Sequence, residues 1–265
     1  MKLLKYVMTH DSGLAPNPYF DACTLALCTP NHMNARLQPG DWVVAHSSTG
    51  TGRRLVYAMR LTQVLDMQTY FTKFPEKRPN PLGSYEQQCG DNLYFREGEQ
   101  WARLPSAEHN TRADFLTDRN RPVYVAEGAD NYWYFGAGSS LAELDGFSDR
   151  FPWLIKGGKG VSYIHDAARI GAFADWLHGL SQSGLIGEPR DRVLSSAHRY
   201  LLGIDPEERW LESGAAPTAN ADRSIGGCGS TPVAAIMQRN SAPAASAGEG
   251  IARPSLPRKA GCGSR

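Results

Sequence analysis

The sequence lacks any apolar run long enough to cross a membrane. Stretches such as Thr24-Leu25-Ala26-Leu27-Cys28 fall far short of the ~20 residues a spanning helix needs. It also lacks an excess of charge of either sign. Lys plus Arg number 28 and Asp plus Glu 27, a formal charge of +1, which excludes a polybasic arm or an acidic tail protein. The five cysteines, Cys23, Cys28, Cys89, Cys228 and Cys262, form no C-x-x-C pair, so neither a disulfide framework nor a zinc ribbon is expected. They read as buried or incidental thiols. The H-E-x-x-H and G-x-S-x-G signatures are absent as well. The opening, MKLLKYVMTHDSG, interrupts its apolar stretch with Lys5 and has no small-residue cleavage site, so the expected location is cytoplasmic, without contact with a membrane.

What is present is enough apolar material for a core: 41% hydrophobic and 10% aromatic residues. These are unevenly placed. The 53 residues from Ser213 to Arg265 hold 12 Ala, 8 Gly, 7 Ser and 5 Pro and no aromatic, a composition that does not offset its own ordering entropy. Residues 206–265 are therefore expected to be a disordered tail, and 1–205 one folded domain of ordinary size.

Within that domain, turn residues separate short runs rich in β-branched and aromatic side chains: Lys2–Thr9, Thr24–Cys28, Trp42–His46, Arg53–Leu65, Asn92–Arg96, Trp101–Leu104, Pro122–Ala126 and Asn131–Phe135. Long helical crossovers are missing between them. The expected fold is α+β, a curved and mostly antiparallel sheet or small barrel. Helices come late: Asp166 as N-cap for Ala167–Leu180, with Ile170, Phe173, Trp176, Leu177 and Leu180 on one face, then Arg190–Leu202. These C-terminal helices are expected to cover the sheet.

Four features carry chemistry. The run Thr9-His10-Asp11-Ser12-Gly13-Leu14-Ala15-Pro16-Asn17-Pro18 sets a carboxylate and an amide in a rigid loop after the first strand, although Asp11 and Asn17 also suit Asx turns. Gly90-Asp91-Asn92 and Ser106-Ala107-Glu108-His109-Asn110, with Asp118 beyond, bring a carboxylate, an amide and an imidazole of the kind used to move protons. Metal binding by His10, Asp11 and His109 has no diagnostic spacing, and no cofactor follows from the sequence. Lys156-Gly157-Gly158-Lys159-Gly160 offers exposed amides and positive charge to an anion. Finally, residues 51–79 carry Arg53, Arg54, Arg60, Lys73, Lys77 and Arg78 against only Asp66 and Glu76, either a solvated edge or a phosphate-facing surface.

The ordered set T-x-D-x-G-x-A-P-N (Thr9 to Asn17), T-L-A-x-C-x-P (Thr24 to Pro30), G-D-W (Gly40 to Trp42), G-D-N (Gly90 to Asn92), S-x-x-H (Ser106 to His109) and Y-F-G (Tyr134 to Gly136) spans most of the domain. With the glycine-basic loop, F-x-x-W-L (Phe173 to Leu177) and Gly187-Glu188-Pro189, it resembles the nucleotide modification associated domain, type two. The chain departs from that pattern at Thr29, where the family has Lys, and at Gly158-Lys159-Gly160-Val161, where the family has G-R-G-H and this chain has its His at 165. The resemblance implies a setting among base-modification systems of phages and bacteria. By analogy of fold alone, the strand order is similar to PUA and EVE barrels, which read modified bases.

Two functions follow as expectations. In the first, a binding module presents Asn17, Trp42, Asn92 and Tyr94 to a nucleotide or modified base while Arg53, Arg54, Lys73 and Lys159 address phosphate. In the second, an enzyme acts on a nucleotide or base, with Asp11 or Asp91 as base or metal ligand and His109 as acid. The partner in either case is a nucleotide or nucleic acid.

Overall fold

The computed structural model describes residues 1–27, 34–80, 82–106, 108–109, 111–139, 141–158, 160–191 and 212–213. Cys28 to Pro30, Lys159, all of the helix expected over Arg190–Leu202 except Arg190 and Asp191, which form a turn, and nearly all of the expected tail lie outside the described residues.

The fold is α+β, with several sheets, and among the described residues no sheet closes into a barrel. Its centre is a six-stranded sheet in the order β10-β1-β3-β4-β9-β11. The strands are β1 (Leu3–Met8), β3 (Trp42–Ser47), β4 (Leu55–Arg60), β9 (Tyr132–Tyr134), β10 (Val161–Ile164) and β11 (Gly184–Leu185). The β1–β3 and β9–β11 pairs are parallel and the other three antiparallel. Period-two patterning divides the side chains between two cores. Leu4, Tyr6, Val43, Ala45, Tyr132 and Tyr134 enter one; Leu3, Trp42, Val44 and Trp133 enter the other.

Helix α5 (Ala167–His178) covers the second face with Ile170, Phe173 and Leu177 fully buried, as its 3.6-residue period requires. Asp166 caps it by accepting from the backbone N–H groups of Ala168 and Arg169 at 3.1 Å. The helix stops at His178, two residues before the expected end, with Gly179 at its C-cap. The short helix α4 (Phe147–Arg150) adds Phe147 to the same core.

The other face meets a three-stranded antiparallel sheet, β2 (Ala22–Leu25), β8 (Val123–Glu127) and β5 (Gln63–Leu65), in the order β2-β8-β5. Cys23, Leu25, Tyr124 and Ala126 face the central sheet, while Ala22, Val123 and Val125 face a third core. That core is closed by α1 (Met67–Lys73), α3 (Arg112–Asp118) and a hairpin of β6 (Tyr94–Glu97) and β7 (Gln100–Arg103), whose outer edge pairs with β12 (Glu212–Ser213). A further turn of helix, α2 (Tyr85–Gln88), lies between α1 and β6 in the chain.

Two expectations are corrected here. The run Arg53–Leu65 is not one strand: it breaks at Leu61-Thr62 and its halves, β4 and β5, serve different sheets. Helices also form early. Asp66 caps α1 by accepting from Thr69 N–H at 2.9 Å, and Thr111 with Asp114 forms a reciprocal capping box on α3. Both caps are legible signals, but helices of seven residues draw their stability from packing rather than from an apolar period long enough to read.

Candidate functional site

All the strands of the central sheet contribute to one rim. Because β3, β9 and β11 run in the direction of β1 while β4 and β10 run against it, one edge collects five chain segments. They are the loop after Met8, the β3–β4 hairpin tip, the segment after Tyr134, the strap after Leu185, and the glycine-basic loop that leads into Val161. Loops held on rigid strands are where binding groups concentrate.

The strap, residues 186–191, lies against the sheet by backbone contact. Ile186 and Gly187 donate N–H to Tyr134 O at 2.9 and 3.0 Å. A Cβ on Gly187 would stand 2.1 Å from Phe135 O, and one on Gly136, where φ is 75°, would stand 2.0 Å from Glu188 O, so this crossing admits only glycine at both positions.

Asp11 ties the strap down. Its side chain accepts from the Tyr134 hydroxyl, from Ala137 N–H at 2.6 Å and from Arg190 N–H at 3.3 Å. Its own backbone exchanges two hydrogen bonds of 2.8 Å with Asp191, one to the Oδ2 atom and one from the N–H. Asp11 is buried, and burial raises its carboxyl above the ordinary value despite these donors. Arg190 chelates Asp191 and reaches Thr9 O at 3.1 Å, holding the carboxyl of Asp191 below its ordinary value.

The neighbouring His10 brings in a further loop. Its ring lies 3.6 Å from Glu108 and 3.6 Å from Asp191 and is about one-third exposed. Next to Glu108, His109 Nδ1 sits 2.7 Å from Asp118 Oδ2, with Asp118 buried at the end of α3. The carboxylate fixes the ring orientation, the arrangement a proton-transfer histidine uses. The loops of Asp11 and His109, distant in sequence, therefore meet.

Asp91, Asn17 and Asn92 occupy a different place. Asp91 accepts from the Thr24 hydroxyl at 2.7 Å and the Tyr70 hydroxyl at 2.6 Å, while Lys77 Nζ donates to Asn17 O, Asn17 Oδ1 and Ala22 O at 3.0, 2.8 and 2.6 Å. Asn17 donates to Cys89 O at 2.7 Å, and Asn92 to the α1 carbonyl of Tyr70 at 3.1 Å and to Phe74 O at 2.9 Å. All four polar residues are 0% exposed, and apart from the Asn92 Oδ1 atom, which is buried without a hydrogen-bond partner, the groups described are spent on the fold. Trp42, stacked on Trp133 at 6.0 Å, and Tyr94, packed on Phe115, are likewise core residues with no ring face in solvent. The buried Cys23 thiol is pushed up to about 12 by burial, an inert thiol.

The basic segment also divides. Arg53 and Arg54 stand at the β3–β4 tip, on the rim, where Arg54 donates to Ser139 O at 2.8 Å. Lys73 bonds Gln63 beyond the opposite end of β4, about 20 Å away by the rise of a six-residue strand. Lys77 is in the core, and Arg78 lies on the Phe71 ring at 3.9 Å.

One cleft opens beside the strap. Tyr19, Glu86, Leu185, Ile186, Gly187, Glu188 and Pro189 line it, and its volume is about 230 Å³. None of these residues is singled out by sequence reasoning except Gly187, Glu188 and Pro189, as a motif; a cleft made by a returning strap leaves no periodic signal. Among the described residues no three or more His, Cys, Asp or Glu side chains gather closely enough to hold a metal ion.

A family model described as nucleotide modification associated domain 2 matches residues 1–196. The chain belongs to this family. The match takes in the central sheet, the Asp11 anchor and the whole strap, so the family's domain includes every element that builds the rim. Membership makes this a nucleotide-modification-associated protein. No curated protein and no solved structure matches the chain. Among the described residues no helix is long and apolar enough to cross a membrane.

Proposed function

We propose that this domain recognises a nucleotide or modified base at the rim, with one base entering the cleft beside the strap. The observation that carries the reading is the make-up of that cleft: the Tyr19 ring, the aliphatic surfaces of Leu185, Ile186 and Pro189, and two carboxylates, Glu86 and Glu188. Flat apolar walls suit the faces of a base, and carboxylates accept from its exocyclic amino or ring N–H groups. Its volume lies below the ~300–1,000 Å³ of pockets that enclose whole drug-sized ligands, so it suits a single base and leaves sugar and phosphate outside.

Titration calorimetry with a panel of nucleosides and modified nucleosides tests this directly. Binding is expected for bases that carry an amino donor, and Glu188→Gln should weaken it ten- to a hundredfold, because hydrogen bonds to a charged group are worth about 1.5–3 kcal/mol. Absence of binding at millimolar nucleoside, or an unchanged affinity in the variant, would remove the cleft from the reading.

The 2.7 Å contact of His109 with Asp118 favours a second reading, an enzyme acting on the same class of ligand. With Asp118 orienting the ring, His109 would serve as the proton-transfer group, and its neighbours Glu108, His10 and Asp191 place it next to the strap. Incubating mono- and oligonucleotides with the full chain and with His109→Gln, followed by mass spectrometry, separates the readings. A product formed by the wild type and lost in the variant identifies catalysis; nucleoside binding without any product leaves recognition alone.

A further inference from the structure

His46 stands next to last in β3, at the rim, and is buried with both ring nitrogens committed. Nδ1 lies 2.8 Å from Ser47 O, a carbonyl that can only accept, so this nitrogen carries a proton. Nε2 lies 2.8 Å from the backbone nitrogen of Lys156, which can only donate, so this nitrogen presents its lone pair. Together the two contacts admit one form of the ring, the neutral tautomer with its proton on Nδ1.

Lys156 opens the glycine-basic loop, one of the segments that build the rim. Just before it the chain is firmly seated. Leu154 is fully buried in the core under α5, and the Trp153 ring lies 6.3 Å from Phe173. Lys5 Nζ, from β1, donates to the carbonyls of Trp153 and Ile155, at 3.3 Å for the latter. Just after it Gly157 and Gly158 are exposed, and the chain joins the sheet at Val161, paired with Tyr6. The bond from Lys156 N–H to His46 joins the start of the loop to β3.

We infer that His46 is an acid-sensitive latch, which holds the start of the glycine-basic loop on β3 while the ring is neutral and releases it when Nε2 takes up a proton from solvent. A protonated Nε2 is a donor facing a donor, so the bond is lost and the Lys156 N–H is left without that acceptor. The bond to Ser47 O survives, because Nδ1 donates in both forms. The ring therefore stays on the strand while the loop leaves it. The Lys5 contacts have no matching alkaline response, since a neutral amine keeps two N–H bonds for the two carbonyls.

The charged groups around the ring come from three segments: Lys5 in β1, Arg53 at the β3–β4 tip and Lys156 in the loop itself. Its cross-strand neighbours, Val7 and Leu55, carry no charge. Burial lowers His46 from its ordinary 6.5, the Ser47 bond opposes this, and the three cations add to the lowering. The stability that the neutral ring contributes is therefore complete above pH 6.5 and is lost as pH falls from there through the folded value. Acid opens the latch. The inference goes beyond the reading of the base cleft and is independent of it, because the ligand is a proton.

NMR of the full chain between about pH 7.5 and about pH 4.5 tests it. At the upper end the ring nitrogen signals of His46 should show the proton on Nδ1. As the ring titrates, with a midpoint below 6.5, the hydrogen-exchange protection of the Lys156 amide should fall at least about tenfold with the same midpoint, while the amides of Ile170 to Leu177 in α5 keep theirs. His46→Gln is the comparison: an amide oxygen in the place of Nε2 accepts the same N–H and does not titrate, so protection should hold across the range. Lys156→Gln removes a charge and keeps the N–H, so it should lose protection as the wild type does, with the midpoint moved up. A proton on Nε2 at neutral pH, protection that persists once the ring is charged, or a chain that unfolds before His46 titrates overturns the inference. Should His46→Gln fail to fold, the wild-type midpoints decide alone: separate values for ring and amide reject the latch.

Discussion

Lys77→Met should lower the unfolding free energy by about 3–5 kcal/mol, the size typical of breaking a buried charged network by removing one member. Met fills most of the lysine volume, so the loss is chemical rather than steric. It strips three oxygens, Asn17 O, Asn17 Oδ1 and Ala22 O, of the ammonium donor and leaves the buried carboxyl of Asp91 without the nearby cation. Urea denaturation checks it, and a loss under ~1 kcal/mol would mean that water replaces the ammonium.

The same residue predicts a pH dependence. Burial pushes the Lys77 amine down to about 8 from its ordinary 10.5, with Asp91 opposing, and pushes the Asp91 carboxyl up, with Lys77 opposing. Between pH 8 and 10.5 the unfolded chain still holds a proton that folded Lys77 has released, so this group makes stability rise with pH across that window. Lys77→Met should lack that rise. Asp91 works the other way, since its contribution is complete below pH 3.8 and is lost as pH rises through its raised folded value.

Asp11→Asn carries the second large effect. The carboxylate accepts from three donors, and an amide in its place turns one edge from acceptor to donor against the N–H groups of Ala137 and Arg190 or the Tyr134 hydroxyl. A loss of about 2–4 kcal/mol is expected, together with release of the strap. Hydrogen exchange locates the effect: the amides of Ile186, Gly187 and Asp191 should exchange faster, while those of β3 and β4 change only as global stability does. Nucleoside binding in the cleft should weaken with the strap, because five of its seven lining residues lie between Leu185 and Pro189. An Asp11→Asn variant with unchanged exchange at these amides would show that the Gly136–Gly187 backbone contact alone holds the strap. Asp191→Asn is the comparison. Asp191 is about one-quarter exposed on its side chain and pairs with Arg190 at the surface, so less than ~1 kcal/mol is expected.

Several features of the fold are legible in the residues. The alternation of Leu3, Leu4, Lys5 and Tyr6 marks β1, and the Trp42–His46 and Tyr132–Tyr134 runs mark strands of the same sheet. Asp166 with Ile170, Phe173 and Leu177 marks both the start and the buried face of α5. These signals are local, because each depends only on a period or a cap within one element. The division of Arg53–Leu65 between two sheets is not local: both halves have the composition of strands, and only the position of β8 draws the second half away from the first.

The site separates along the same line. The sequence by itself determined which loops are rich in polar groups, that Asp118 and His109 belong to the same polar cluster, and that the order of motifs is that of the nucleotide modification associated family, since all of these are properties of residues and their spacing. Only the tertiary structure decided which polar groups remain available. Asp91, Asn92 and Asn17 look like site residues in sequence, yet each is enclosed by the core and hydrogen-bonded within it, whereas His10, Glu108 and Asp191, from three distant segments, meet at the surface. The physical reason is that a buried polar group must find its partners wherever the packed elements put them. Burial and partnership arise from contacts between residues such as Asn92 and Phe74, 18 positions apart, and Asp11 and Asp191, 180 apart, which no spacing along the chain encodes.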